Sequence, residues 1–270
     1  MKIEKYNQKL LAILGTAGVV FIVVALIAFV SLAIMEYNRY DDDDIETGIL
    51  SDEKIEELQK DNKREQVISF RHPRLIDTLN SIYIIPVSHK TLDEKESILG
   101  LLDTSGSYSD YESNDSRYSN EIYGTYNNLI IFNENNGTNK KLFNDRVNFH
   151  RIDSEYFSDD IFLLMNVAKK DTYKDDVINL KDFKSLYIYS LKNKKLDTIG
   201  IDGMDVFDYE FLNNSKKLVI RFGIDKNKDG TYDAFKEPTI IKKYNLETGI
   251  LTDMVNDKIQ SELQKTLEGS

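Results

Sequence analysis

Cysteine is absent from the 270 residues. Its absence excludes disulfides, cysteine-based zinc sites, a thiol nucleophile and a lipid-modified cysteine as anchor. It is compatible with an oxidising compartment such as the periplasm. Positive charge is also short: 35 Lys and Arg face 46 Asp and Glu, a net charge of −11 at pH 7. Nucleic acids and anionic lipid surfaces are held by clustered Lys and Arg, so this balance argues against both as partners. The familiar catalytic signatures are missing as well. There is no G-x-S-x-G, no H-E-x-x-H and no glycine-rich phosphate loop. His72, His89 and His150 are scattered without ligand spacing and read as surface or internally satisfied residues. No catalytic residue is assigned. Paired carboxylates hidden among solvated acidic runs are the remaining route to a hydrolase, which ranks below binding and structural roles.

Charge of either sign is missing from Leu10 to Met35. At 1.5 Å per residue these positions form a helix of ~39 Å, longer than the ~30 Å hydrocarbon core of a bilayer. A lone segment satisfies its backbone in lipid only as a helix. The competing reading is a cleaved signal peptide, since Ser31 and Ala33 offer small residues at the right spacing. The run is already too long for that before Ser31, which favours an anchor. Lys2, Lys5 and Lys9 precede the span and Asp41 to Asp44 follow it, so residues 1–9 are expected in the cytoplasm and the remainder outside. Gly15, Gly18, Ala25 and Ala28 share one broad helical sector, which permits close approach of another helix.

Residues 36–65 read as an acidic linker followed by a short surface helix from Asp52 to about Glu65, capped by Ser51. From Gln66 the pattern changes to short β-branched and aromatic runs separated by Asn, Asp, Ser and Lys turns. Three pairs of runs repeat. The first members begin at Ser81, Asp160 and Lys217. The second members begin at Asn128, Ser185 and Thr239, and each is a hairpin with its turn at Asn136 and Gly137, Asn193 and Lys194, or Thr248 and Gly249. A further run precedes each pair, at Val67 to Phe70, Phe149 to Ile152 and Val206 to Phe211. Units of about four strands at a period of roughly 50 residues are the signature of propeller-type blades.

The last hairpin carries Tyr244, Leu246, Thr248, Gly249 and Leu251 in the pattern Y-x-L-x-T-G-x-L, with a degenerate copy at Tyr189, Leu191 and Leu196. With these residues, 66–255 resembles the TolB-like and WD40-like β-propeller repeats of bacterial envelope proteins. The resemblance implies a mainly β domain, an incomplete propeller-like stack of about three four-stranded units behind one transmembrane helix. Propellers close with ~4–8 blades, so an open stack needs cover from elsewhere. The apolar runs Ile82 to Val87 and Ile161 to Val167 are continuous enough to expect cover on both faces.

The units carry inserts: His89 to Gly124, which includes the low-complexity run Asp103 to Asn120, then Lys169 to Phe183, and Asp225 to Pro238. The third matches positions 1, 3, 5, 6 and 9 of the EF-hand calcium loop. Asp225, Asn227, Asp229 and Asp233 are the expected side-chain ligands of Ca²⁺, Thr231 the carbonyl ligand, and Glu237 the late substitute for a position-12 acid that is Lys236 here. A polar turn is the competing reading. Asn256 to Thr266 reads as an amphipathic helix able to cover a blade edge. In the 256–270 stretch, Leu267 to Ser270 has the composition of an appended cloning sequence. The expected role is a non-enzymatic accessory or scaffolding subunit among inner-membrane or periplasmic proteins, with a membrane-anchored sensor or ligand-binding ectodomain as the alternative.

Overall fold

The computed structural model describes residues 2–41, 48–60, 66–91, 120–213 and 215–269. Most of the acidic linker, the end of the expected helix at 61–65 and the low-complexity run through residue 119 lie outside the described residues. The chain divides into two units, Met1–Thr47 and Gly48–Ser270.

In the first unit, α1 (Lys2–Asp41) is one continuous helix. Ile13–Ser31 within it is long and apolar enough to cross a membrane, and none of that stretch is buried. A helix that is apolar all round and uncovered suits a lipid environment, as an anchor or as a signal sequence.

The second unit begins with β1 (Ile49–Leu50) and α2 (Asp52–Lys60). Strands β2 (Gln66–Phe70), β3 (Arg74–Asp77), β4 (Ile82–Thr91), β5 (Glu121–Tyr126), β6 (Asn128–Asn133) and β7 (Thr138–Lys141) follow. Next come β8 (Asn148–Tyr156), β9 (Ile161–Ala168), β10 (Val177–Ile178), β11 (Lys184–Ser190) and β12 (Lys195–Ile199). The last elements are β13 (Met204–Phe211), β14 (Lys217–Ile224), β15 (Thr239–Asn245), β16 (Ile250–Asp253) and a helix, α3 (Asp257–Glu268). The protein is mainly β, and every described strand pairing is antiparallel.

Besides the two-stranded pairing of β1 with β10, the strands form three larger antiparallel sheets, ordered β2-β4-β6-β7, β5-β8-β9-β11-β12 and β13-β14-β15-β16. Each paired run seen in the sequence is a strand of these sheets, and the hairpin turns reach the positive φ they require, at Gly137 (66°), Lys194 (53°) and Gly249 (69°). Two apolar clusters lie on either side of the middle sheet. One joins Ile84 and Leu129 of the first sheet to Leu163, Met165 and Val167. The other joins Phe162 and Leu164 to Leu218, Ile220 and Phe222 of the third sheet. Strand period two sends alternate β9 residues to opposite faces, so this continuous apolar run is covered on both sides by its own chain.

Three features escape the repeat. Strand β5 begins inside the stretch read as an insert, runs two residues past its end at Gly124, and adds an edge to the middle sheet on β8, while β3 doubles back on β4. The third feature is a clamp, in which β1 pairs with β10. Ile49 is buried there with Ala168 and Ile178. Gln66 ties both ends of the clamp, its Nε2 donating to the Gly48 carbonyl and its Oε1 accepting from Leu50 N–H. Ser51 caps α2 as expected, its Oγ accepting from Lys54 N–H at 3.2 Å. Helix α3 is capped by Asn256, whose side chain accepts from Ile259 N–H. None of its residues is buried, and Ile259 and Leu263 stand in solvent. The expected cover of a sheet edge by this helix is not made.

Candidate functional site

Strand β14 runs into the loop at Asp225, and β15 leaves it after Pro238, so the expected calcium ligands lie on one long connection at a sheet end. Asp225 closes its first half, Oδ1 accepting from Lys228 N–H and Oδ2 from Gly230 N–H. Asn227 Nδ2 donates to Asp229 Oδ2, and Asp229 Oδ1 accepts from Thr231 N–H. Glu237 closes the second half, with Oε1 accepting from Lys226 and Asn227 N–H and Oε2 from Asp233 N–H. These backbone donors hold the Glu237 carboxyl below its ordinary pKa. Asp233 turns to Lys236, 2.8 Å away, and its pKa is lowered by that partner. Thr231 spends its hydroxyl on the Lys181 carbonyl. The structure thus joins Asp225, Asn227, Asp229 and Glu237 through the loop backbone and turns Asp233 aside. The donor chemistry, carboxylates and one amide, is that of a hard cation. Among the described residues, no group of three or more acidic or histidine side chains is set to hold a metal ion.

This loop is locked to the second insert. Asp182 is fully buried, and its Oδ1 accepts from Thr172 and Tyr173 N–H while Oδ2 accepts from Asn179 N–H. Thr172 Oγ1 donates to the Gly230 carbonyl at 2.7 Å. Burial pushes the Asp182 pKa up, opposed by the donated bonds. Gly230 sits at φ 87°, where a Cβ would collide with the Thr172 carbonyl.

A second polar cluster lies where β8 meets β13. Asp153 Oδ2 accepts from Arg151 Nε and Nη2, at 2.8 and 2.5 Å, and from the Tyr209 hydroxyl. The Arg151 guanidinium also lies over the Tyr209 ring. Asp153 is 4% exposed, and its Oδ1 is buried with no hydrogen-bond donor among the described residues. Burial raises its carboxyl pKa against the pull of Arg151 and Tyr209. Burial, then the nearby Asp153 and Glu121, raise that of Glu155. The strand expected over Phe149 to Ile152 extends to Tyr156. The period-two placing of Arg151, Asp153 and Glu155, with Ile152 and Tyr156 on the alternate positions, is the signal that extends it.

The histidines do not converge. His72 is exposed, and His150 lies beside the Tyr123 ring at 5.7 Å. His89 is half-buried; burial lowers its pKa, opposed by a bond to the Gly48 backbone, and its Nδ1 has no partner among the described residues. His89 lines a groove of about 450 Å³ on the outer face of the first sheet with Ile49, Ile68, Phe70 and Ile130. Comparison with protein-family models, with curated proteins and with solved structures yields no match.

Proposed function

We propose that this chain is a non-enzymatic accessory or scaffolding subunit of an inner-membrane or envelope complex. In this reading α1 is a single-pass anchor with residues 1–9 in the cytoplasm. The three sheets act as an open, propeller-like stack of the TolB-like and WD40-like kind, held in the periplasm. The observation that carries the proposal is the outer face of the first sheet. Ile68 and Phe70 are exposed on it and line the groove, while the equivalent face of the middle sheet is covered by a neighbour. Covering apolar surface gains roughly 25 cal/mol per Å², and confinement to a membrane raises the effective concentration of any neighbour there. The sector of Gly15, Gly18, Ala25 and Ala28 offers a second contact to a partner helix. Purification in mild detergent, followed by mass spectrometry and size-exclusion chromatography with light scattering, tests this. A companion chain in fixed stoichiometry is expected. A monodisperse monomer without one overturns the reading and favours a sensor or ligand-binding ectodomain, for which the unpartnered buried Asp153 Oδ1 is the supporting observation.

Calcium remains the proposed ligand of the Asp225 to Glu237 loop. The supporting observation is the closure of Asp225 on Gly230 N–H, which spans positions 1 and 6 of the motif. Binding would require Asp233 to exchange Lys236 for the ion. Melting of the protein in millimolar calcium and in chelator tests it. An upward shift that Asp229→Ala abolishes is expected, and identical melting in both solutions leaves the polar-turn reading.

A further inference from the structure

An open sheet ends on each side in a strand with a row of unpaired N–H and C=O groups, and folded proteins guard such edges with charge, proline or bulges. The edges of the three larger sheets follow that rule with one exception among the described residues. Lysine stands on β7 (Lys140) and β12 (Lys195), and Asp253 on β16. Strands β5 and β13 carry Glu121 and Asp208, and each is bulged against its neighbour. The remaining edge is shared by β3, which has Arg74, Asp77 and a bulge, and by β2. Strand β2, Gln66 to Phe70, has no charge, no proline and no break in register.

The bonding pattern fixes which backbone groups of β2 are open. Arg71 N–H, just past the strand, donates to the Pro86 carbonyl of β4 at 2.9 Å. Bonding alternates along an antiparallel strand, so Val67 and Ser69 also turn their backbone groups to β4, opposite Lys90 and Ser88. Gln66, Ile68 and Phe70 turn theirs to the other side, where no strand pairs with them among the described residues. The Ile68 and Phe70 side chains are 68% and 58% exposed. Such a row beside alternate apolar side chains is matched by an extended chain, which brings N–H and C=O groups at the same spacing.

We propose that β2 pairs antiparallel with β2 of a second copy of this chain, about a two-fold axis at Ile68. The strand is complementary to itself in that register. Ile68 meets Ile68 of the second copy and Gln66 meets Phe70, so the open donors of each copy face the open acceptors of the other. The two Ile68 side chains lie side by side on one face, where cross-strand apolar pairs stabilise a sheet. Charge selects the same edge. The chain carries a net −11, so two copies repel, and β2 is the edge strand that adds no like charges to that repulsion. Self-pairing of β7 would gather the lysines of both copies instead. The pairing uses the edge of the first sheet and leaves its outer face open, so it goes beyond the accessory-subunit reading and does not depend on a companion chain.

The chain has no cysteine, so one introduced thiol reports alone. A hydrogen-bonded antiparallel pair sets the two Ile68 Cα atoms about 5.5 Å apart, inside the disulfide range of about 4.4–6.8 Å. Full-length Ile68→Cys is oxidised in mild detergent beside Asn139→Cys, which lies on the guarded strand β7. Both side chains are exposed, so both variants keep the fold. On a non-reducing gel Ile68→Cys is expected to run at twice the mass of one chain, and Asn139→Cys at the mass of one. Light scattering is expected to give two chains per particle for the unaltered protein and one for Ile68→Lys, which sets like charges against each other at the axis. Equal cross-linking of the two cysteine variants, no cross-link in either, or a single unaltered chain per particle overturns the proposal. A dimer that survives Ile68→Lys is joined elsewhere and overturns it too. Loss of a different protein from Ile68→Lys, with no disulfide in Ile68→Cys, assigns the edge to a strand of that protein and likewise overturns self-pairing.

Discussion

Asp153 is a charge placed where water does not reach one of its oxygens. A carboxyl whose folded pKa is raised binds its proton more tightly in the native state than in the unfolded chain. Its contribution is therefore fully present below the ordinary carboxylate pKa of about 4 and is lost as pH rises through the folded value. Asp153 and Glu155 are both shifted this way, chiefly by burial. These two groups should accordingly contribute a rise in the stability of the β unit as pH is lowered from neutral toward the ordinary carboxylate range, against the opposite contribution of Asp233 and Glu237, whose pKa values are lowered. Asp153→Asn should flatten that rise in melting curves recorded against pH, and an unchanged slope in the variant would remove Asp153 as its source. Tyr209 is raised well above the ordinary phenol range, by burial first, so its contribution is lost in strong alkali. Gly230 supports a separate expectation, because both its φ of 87° and the Thr172 carbonyl oppose a side chain. Gly230→Ala should cost about 2–4 kcal/mol in urea unfolding, from backbone strain and displacement of the second insert.

Among the elements, the two-residue β1 has an effect out of proportion to its length. It fixes residues 48–60 to the sheets through Ile49, the Gln66 amide and the 2.6 Å pair of Arg146 with Asp52. The exposed pair contributes little by itself, at most about 1 kcal/mol, so the buried Ile49 is the main fastening. Ile49→Ala should cost about 2–5 kcal/mol at the clamp. Limited proteolysis should then cut within residues 48–60 while the sheets persist; unaltered protection of this segment would contradict the clamp. Helix α3 is the opposite case. It is well capped and touches no core, so removing residues 256–270 should change the melting midpoint by no more than the equivalent of about 0.5 kcal/mol.

At the scale of the molecule, the middle sheet ties both apolar clusters into one body. Leu163 belongs to one cluster and its neighbour Leu164 to the other. Leu163→Ala and Leu164→Ala should each cost about 2–5 kcal/mol. Each should shift one common transition, with calorimetric and van't Hoff enthalpies in agreement. Two resolved transitions in either variant would mean that the sheets melt separately.

From the sequence alone came the uncharged helix, the mainly β character of the remainder, and all three sets of paired strands with their turns. These depend on local physics: length without charge, period-two alternation, and turn residues that accept positive φ. The residues of the 225–237 loop were legible for the same reason, since a contiguous motif needs no partner from elsewhere. Tertiary structure alone decided which faces are covered. Ile161 to Val167 finds both covers within the chain, because β9 lies in the middle sheet. The clamp of Ile49 on Ile178, the lock of Thr172 on Gly230 and the meeting of Arg151, Asp153 and Tyr209 each join residues far apart in sequence. Hydropathy at any one position says that a side chain seeks burial. Only the stacking of the sheets determines against what, and that same stacking leaves Phe235, Ile68 and Phe70 in solvent.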